Sequence, residues 1–140
     1  LYLNSAPIQW LSKKQSTVET SVFGAEFVAM KHGIETVRGI RYKLRMMGIE
    51  VDNPTYVYGD NMSVVTNSSK PESQLKKKCN SICYHAVRES VAMGESLVSH
   101  ISTDKNPADL MTKTLVGVKR RHLVSKLLYD IYDDHGIAKQ

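Results

Sequence analysis

The chain has 140 residues and a mass of 15.7 kDa, which is the length of one typical domain. Apolar residues make up 41% of it and charged residues 24%, proportions that exclude a disordered or fibrous chain. Nineteen Lys and Arg against fourteen Asp and Glu leave a net charge of +5, and the clustered basic residues favour a polyanionic partner. No apolar run approaches the roughly 20 residues needed to cross a bilayer, so no membrane partner is expected.

Hydrophobic periodicity and turn residues predict nine elements. Alternation beside a turn favours strands, and apolar residues at spacings of three and four favour helices. In chain order we expect strands at 1–3 and 8–18, a helix at 20–47, a strand at 55–58, helices at 62–67 and 75–93, a strand at 96–101, and helices from 106 and over 119–132. Gly48 is placed to end the long helix, and Asn106-Pro107 is a helix-start signal. This order predicts an α/β fold in which a mixed sheet is covered by helices.

The helix at 75–93 carries both cysteines of the chain. Its apolar face is predicted to consist of Leu75, Cys79, Ile82, Ala86 and Met93. Cys79 and Cys83 have no histidine or cysteine partner at a metal-binding spacing, which favours reduced core thiols. Reduced thiols in turn are typical of a cytoplasmic or nuclear protein.

Three carboxylates lie at positions where a charged group serves either the local structure or a bound metal ion. Glu26 falls at the edge of the apolar stripe of the long helix, where a carboxylate either turns outward towards an arginine or coordinates a metal. Asp60 follows the strand at 55–58, at the end where ligands gather in α/β sheets, although Asp also suits a helix N-cap. Asp109 falls in the first turn of a helix, where it complements the helix dipole or binds a metal. Acids without His or Cys suit Mg²⁺ or Mn²⁺, and two such ions support phosphodiester hydrolysis.

Five segments of the chain form a recognisable pattern when they are taken in order. They are Pro7-Ile8-Gln9-Trp10-Leu11-Ser12-Lys13-Lys14-Gln15, Ala25-Glu26-Phe27, Tyr58-Gly59-Asp60-Asn61, Tyr84-His85-Ala86-Val87-Arg88-Glu89 and Asn106-Pro107-Ala108-Asp109-Leu110-Met111-Thr112-Lys113. This pattern resembles the ribonuclease H domain of copia-type retrotransposon Pol polyproteins. The resemblance implies a ribonuclease H-like fold that cuts the RNA strand of RNA–DNA hybrids during reverse transcription. It also implies that Glu26, Asp60 and Asp109 are the second, third and fourth acids of a site for two Mg²⁺ or Mn²⁺ ions.

The first acid of that pattern, an Asp, should lie on a strand that precedes Leu1. We therefore expect the ribonuclease H-like fold of this chain to lack its first strand, and the fragment to be weakly active or inactive alone. Whether it acts as an enzyme stays open at this point. The alternative is a non-catalytic scaffold or hybrid-binding module of a degenerate or domesticated retroelement.

The resemblance also divides the chain and indicates its partners. A ribonuclease H-like domain is expected over residues 1–115 and a helical tail over 116–140. The lysines suited to contacting phosphates are Lys13, Lys14, Lys76, Lys77 and Lys78. The expected partners are an RNA–DNA hybrid and the reverse transcriptase domain of the same polyprotein, in a cytoplasmic retrotransposon particle or in the nucleus.

A retroviral-type integrase core is a competing hypothesis for the same acids. Thirty-four residues separate Asp60 from Glu95, which is near the spacing that this class uses. Glu95 is, however, expected at the start of a strand and not on a helix that faces the site. His100, near the end of that strand, is a candidate proton shuttle, whereas His85 is expected to be structural.

Overall fold

The protein is seen in a computed structural model that describes residues 1–13, 15, 21–70, 72 and 81–128. In chain order its elements are β1 (Tyr2–Leu3), β2 (Ala6–Pro7), α1 (Val22–Met46), β3 (Thr55–Gly59), α2 (Met62–Ser69), α3 (Ser81–Ala92), β4 (Ser96–His100), α4 (Asp109–Thr112) and α5 (Gly117–Val124). The order of strands and helices is the predicted one, and the α/β class is confirmed. Over these described residues, no helix is both long enough and apolar enough to cross a membrane.

Contacts divide the chain into two units. The central unit is Gln15–Ile101, and the terminal unit combines Leu1–Lys14 with Ser102–Gln140. The candidate acids Glu26 and Asp60 belong to the central unit, and Asp109 belongs to the terminal unit. The division into a domain at 1–115 and a tail at 116–140 stays a prediction.

Helix α1 forms where the sequence predicts it, because both of its ends are capped. The Ser21 hydroxyl accepts a hydrogen bond from the Gly24 N–H at 3.2 Å, which satisfies one of the donors at the start of the helix. At the other end Gly48 has φ +78°, and its N–H donates to the Arg45 carbonyl at 2.9 Å. A left-handed glycine after the last turn is a common way to end a helix, so the predicted role of Gly48 is confirmed.

The strands form two small sheets instead of the single mixed sheet that we expected. β3 and β4 pair in parallel, from Thr55 opposite Ser96 to Gly59 opposite His100. β1 and β2 form a separate antiparallel hairpin. Parallel neighbours need a long crossover, which α2 and α3 provide here, whereas the antiparallel strands β1 and β2 need only a short turn.

The second strand of the hairpin begins earlier than predicted. Asn4 adopts φ +54°, a left-handed conformation that Asn tolerates, and this allows Leu3 to pair with Ala6 across a two-residue turn. The second strand therefore lies at Ala6–Pro7 and not at 8–18, and of the latter range residues 14 and 16–18 lie outside the described part of the chain. Trp10, just after the hairpin, is 69% exposed.

The core of the central unit lies where α1 and α3 cover the β3–β4 sheet. Its buried members are Phe27, Met30, Ile34, Val64, Tyr84, Val87 and Val98. The Phe27 ring lies 4.9 Å from the Phe23 ring and 5.7 Å from the Tyr84 ring, which joins α1 to α3. The predicted apolar stripe on α1 is therefore confirmed, because Phe27, Met30 and Ile34 are buried.

The predicted apolar face of α3 is wrong. Ile82 is 76% exposed and Met93 is 63% exposed, whereas Tyr84 and Val87 are buried. Both faces carry apolar residues at helical spacing, and the face with the large Tyr84 ring is the one that packs against Phe27. Cys83 is half-buried against the core. Leu75 and Cys79 lie outside the described residues.

Three helix boundaries in the terminal unit also differ from prediction. The Asn106 side chain accepts a hydrogen bond from the Ala108 N–H at 3.1 Å, but the chain first makes a tight turn, and α4 begins only at Asp109. Helix α5 begins at Gly117, two residues before the expected start, and ends at Val124. Residues 125–128 of the predicted helix form turns instead, and its last residues, 129–132, lie outside the described part.

Arg41 of helix α1 binds the loop before β3 by hydrogen bonds. The sequence patterns do not identify this residue. Its guanidinium is buried and donates to the Val51 carbonyl at 3.0 Å, the Asn53 carbonyl at 2.7 Å and the Thr55 hydroxyl at 3.1 Å. A planar guanidinium can serve these three acceptors at once, and a lysine ammonium cannot.

We expect Arg41→Lys to lower the free energy of unfolding by about 1–3 kcal/mol, because a lysine ammonium at this buried position cannot replace all three hydrogen bonds of the guanidinium. Arg45→Lys is the matched control, since Arg45 is exposed and makes one bond, to the Val51 carbonyl at 3.1 Å. Its effect should stay within about 0.5 kcal/mol. Urea denaturation measures both, and equal losses for the two variants would contradict the assigned role of Arg41.

Candidate functional site

Helix α1 and strand β3 run in opposite directions, and this places the candidate site. Near the end of α1, Arg41 contacts Thr55, the first residue of β3. Eleven residues earlier, Met30 packs at the other end of β3, where its terminal methyl lies 3.3 Å from the position of a β-carbon built on Gly59. The helical segment is about 16 Å long and the strand about 13 Å, so the two elements lie alongside each other over the whole strand.

Glu26 therefore lies beside the end of β3. It precedes Met30 by four residues, so it is on the same face of α1 and about 6 Å farther along the helix axis. Asp60 directly follows Gly59, the last residue of β3. Both acids are half-buried. The structure thus brings Glu26 and Asp60 to one end of the central unit.

Asp60 is not the cap of the following helix. The Asn61 side chain caps α2 by accepting a hydrogen bond from the Ser63 N–H at 2.9 Å. Within the described ranges, no hydrogen-bond or ion-pair partner of the Asp60 side chain is found. The N-cap interpretation of Asp60 is wrong, and its carboxylate is available for a ligand.

The end of β4 lies beside the end of β3, which Asp60 follows. Gly59 is opposite His100, and the Ile101 N–H donates to the Gly59 carbonyl at 3.0 Å. His100 is exposed there, which keeps it a candidate for proton transfer near Asp60. Because β3 and β4 are parallel, groups that follow the two strands share one edge.

Glu95 lies at the opposite end of these strands. Its carbonyl accepts a hydrogen bond from the Thr55 N–H at 2.9 Å, and its carboxylate binds the Arg38 guanidinium at 2.6 Å. The length of β3, about 13 Å, thus lies between Glu95 and Asp60. This arrangement disfavours the integrase hypothesis, in which the two acids would share a metal.

Asp109 is 3% exposed, and lysines contact both of its carboxylate oxygens. Lys113 Nζ lies 2.8 Å from Oδ1, and Lys119 Nζ lies 3.2 Å from Oδ2. Burial acts to raise the pKa of Asp109, but the two lysine hydrogen bonds outweigh it and hold the pKa below its usual value. Asp109 is therefore a buried carboxylate that keeps its negative charge.

Only one of the two lysine partners of Asp109 can be predicted from the sequence. Lys113 lies four residues after Asp109, a spacing at which helical side chains meet, so this pair is readable from the sequence. Lys119 comes from the next helix, and its ammonium also lies 3.5 Å from Asp104 Oδ1. Only the fold of the terminal unit brings it to Asp109.

The donor chemistry of these acids suits a hard divalent cation, since carboxylate oxygens are the ligands that Mg²⁺ and Mn²⁺ prefer. Across the described ranges, however, no three His, Cys, Asp or Glu side chains form a group that could hold a metal ion. Lys13 is exposed, as a phosphate-binding residue would be. Lys14, Lys76, Lys77 and Lys78 lie outside the described residues.

Three curated relatives are proteins of plant transposons. The chain is 32% identical over 127 residues to the retrovirus-related Pol polyprotein from transposon RE1 of Arabidopsis thaliana, a match that covers 91% of this chain and 9% of the relative. It is 31% identical over 127 residues to the Pol polyprotein from transposon RE2 of the same plant, with 91% and 9% covered. The chain is homologous to a segment of retrovirus-related Pol polyproteins. The chain is also 31% identical over 108 residues to the retrovirus-related Pol polyprotein from transposon TNT 1-94 of Nicotiana tabacum, with 77% and 8% covered.

The chain spans less than a tenth of the length of these relatives. No protein-family model matches it. No solved structure matches it either. The homology supports a function related to retrotransposons.

Proposed function

We propose that the chain is the ribonuclease H part of a retrotransposon Pol polyprotein and hydrolyses the RNA strand of RNA–DNA hybrids with the help of divalent metal ions. The observation that carries the proposal is the placement of Glu26 and Asp60 at one end of the central unit. Helix α1 supplies the first of them, and the end of β3 supplies the second. The five sequence segments around and beyond these acids, in matched order, support the same activity.

Glu26, Asp60 and Asp109 would hold two Mg²⁺ or Mn²⁺ ions. Such ions supply an activated water and stabilise the leaving oxygen of a phosphodiester. Glu26 and Asp60 provide oxygen donors that are half-buried and therefore partly shielded from solvent. Asp109 provides a third carboxylate that remains ionised at neutral pH, because Lys113 and Lys119 lower its pKa.

A fourth acid, an Asp, would come from a strand that precedes Leu1 in the polyprotein. The chain spans only a small part of its curated relatives, so we propose that it works beside other domains of the same polyprotein, the reverse transcriptase domain among them. Its place of action would be a cytoplasmic retrotransposon particle or the nucleus.

The non-catalytic alternative has an observation of its own. Both oxygens of Asp109 are held by lysine ammonium groups, which a metal ion would have to displace from at least one of them. A segment that kept the fold and its basic surface without using the metals would act as a scaffold or as a hybrid-binding module. Hybrid binding without cleavage, in the presence of Mg²⁺, is the result that this alternative predicts.

A cleavage assay separates the two functions. The RNA strand of an RNA–DNA hybrid is labelled and incubated with the 140-residue chain and with a chain extended by the residues that precede Leu1. We expect cleavage by the extended chain in Mg²⁺ and none in EDTA, and weak or no cleavage by the 140-residue chain. If the extended chain binds the hybrid but leaves its RNA intact in both Mg²⁺ and Mn²⁺, the proposed hydrolysis is wrong.

A further inference from the structure

Helix α5 has a fixed orientation in the terminal unit. Leu123 is fully buried, and Lys119, four residues earlier on the same face, holds Asp109 at 3.2 Å. These two residues define the inward face of the helix. Successive residues of a helix are turned by about 100°, so Arg121 lies opposite that face and Arg120 lies at its side, and both are exposed.

The outward face of α5 is strongly basic. Arg120 and Arg121 are exposed, and over the residues that the structure describes neither forms an ion pair. Helix α5 has no Asp or Glu from Gly117 to Val124, so no acid at helical spacing neutralises these arginines. His122, also exposed, follows them directly. Two adjacent arginines without acidic neighbours leave a local surplus of positive charge.

We propose that Arg120 and Arg121 form a phosphate-binding surface that holds the nucleic-acid backbone beside Asp109. The inference deepens the proposed function and rests on it, because the metal ligand Asp109 would bring a phosphodiester to this place. Lys119 connects Asp109 to this surface, because its ammonium binds Asp109 and the next two residues of the same helix are the exposed Arg120 and Arg121. Arginine suits this task because its planar, permanently charged fork matches phosphate oxygens.

The charge of α5 alone would also attract an acidic protein segment. A nucleic-acid duplex is the better fit, because it carries about one phosphate charge per 1.7 Å of its axis, a higher charge density than that of an extended acidic segment, whose residues are spaced about 3.3 Å apart.

The test measures the binding of a fluorescent RNA–DNA hybrid to the 140-residue chain in EDTA, so that no cleavage takes place. Arg120→Gln with Arg121→Gln should weaken binding about tenfold at 0.1 M salt and reduce the slope of log K against log salt by about 1–2. Arg120→Lys with Arg121→Lys keeps the charge and should retain most of the affinity. Circular dichroism confirms that each variant is folded.

The matched control is Lys43→Gln with Lys70→Gln, which removes the same charge from exposed lysines of the central unit. Its affinity should change less than twofold. An equal loss in both pairs, or no loss in either, would overturn the proposed surface. So would a polyglutamate that binds as tightly as the hybrid and depends on the same arginines. Because binding is measured without metal, a failure of cleavage alone would refute the nuclease and leave this result unaffected.

Discussion

Replacing Asp60 with asparagine is expected to abolish hybrid cleavage by the chain extended upstream of Leu1, with a loss of at least about a hundredfold in rate. Asparagine keeps the size of the side chain but removes the negative charge that a divalent ion requires. Asp60 is half-buried at the end of β3, and Asn61 performs the capping of α2, so the substitution leaves the helix start intact. The rate of RNA cleavage in Mg²⁺ measures the effect.

Asp52→Asn is the matched control for Asp60→Asn. Asp52 is an exposed aspartate in the loop before β3, at the opposite end of the strand from Asp60, and its replacement should leave cleavage unchanged. Metal binding gives a second measurement, since broadening of nuclear magnetic resonance signals by Mn²⁺ near residue 60 should disappear in the Asp60 variant only. Cleavage by Asp60→Asn at the unchanged rate would remove Asp60 from the metal site.

The long-range arrangement of α1 and β3 is the feature that turns two separate acids into a candidate site. Sequence periodicity places Glu26 at the edge of a helical stripe, and strand propensity places Asp60 after a strand. Neither pattern contains the relative direction of the two elements. That direction follows from two contacts, between Arg41 and Thr55 and between Met30 and Gly59.

Local signals were reliable where one short-range interaction determines the structure. Gly48 ends α1 because a left-handed residue is needed there, and it supplies this conformation without strain. Thr55–Gly59 forms a strand, as a short run of β-branched and aromatic residues predicts. Each of these elements could be predicted without knowledge of its neighbours.

Burial and contacts were predicted wrongly or missed where two faces of a helix are both apolar, or where the contacting residue is distant along the chain. Both Ile82 and Tyr84 lie at helical spacings from other apolar residues, and only packing against Phe27 decides which of them is buried. The contact of Lys119 with Asp109 joins two helices whose packing no local pattern describes. Tertiary packing therefore decides the details of the site that local patterns leave open.

The packing of Phe27 also stabilises the position of Glu26, its neighbour in the chain. Phe27 is fully buried, and its ring meets those of Phe23 and Tyr84. We expect Phe27→Ala to lower the free energy of unfolding by about 3–5 kcal/mol, because it removes a buried ring and leaves a cavity between α1 and α3. That loss is comparable to the whole stability of a small domain, so this variant should be largely unfolded at 37 °C.

Tyr42→Ala tests whether the effect belongs to the buried position or to any aromatic ring of α1. Tyr42 lies on the same helix and is 64% exposed, so its removal should cost no more than about 1 kcal/mol. Phe27→Leu keeps most of the volume and should remain folded, at a cost of about 1 kcal/mol, which allows the site to be measured in a chain with a weakened core. Since Glu26 is held in place by this packing, the Mn²⁺ affinity should fall in Phe27→Leu and stay unchanged in Tyr42→Ala, although both variants lose a similar amount of stability. A Phe27→Ala chain as stable as Tyr42→Ala would show that the contact between α1 and α3 does not support the site.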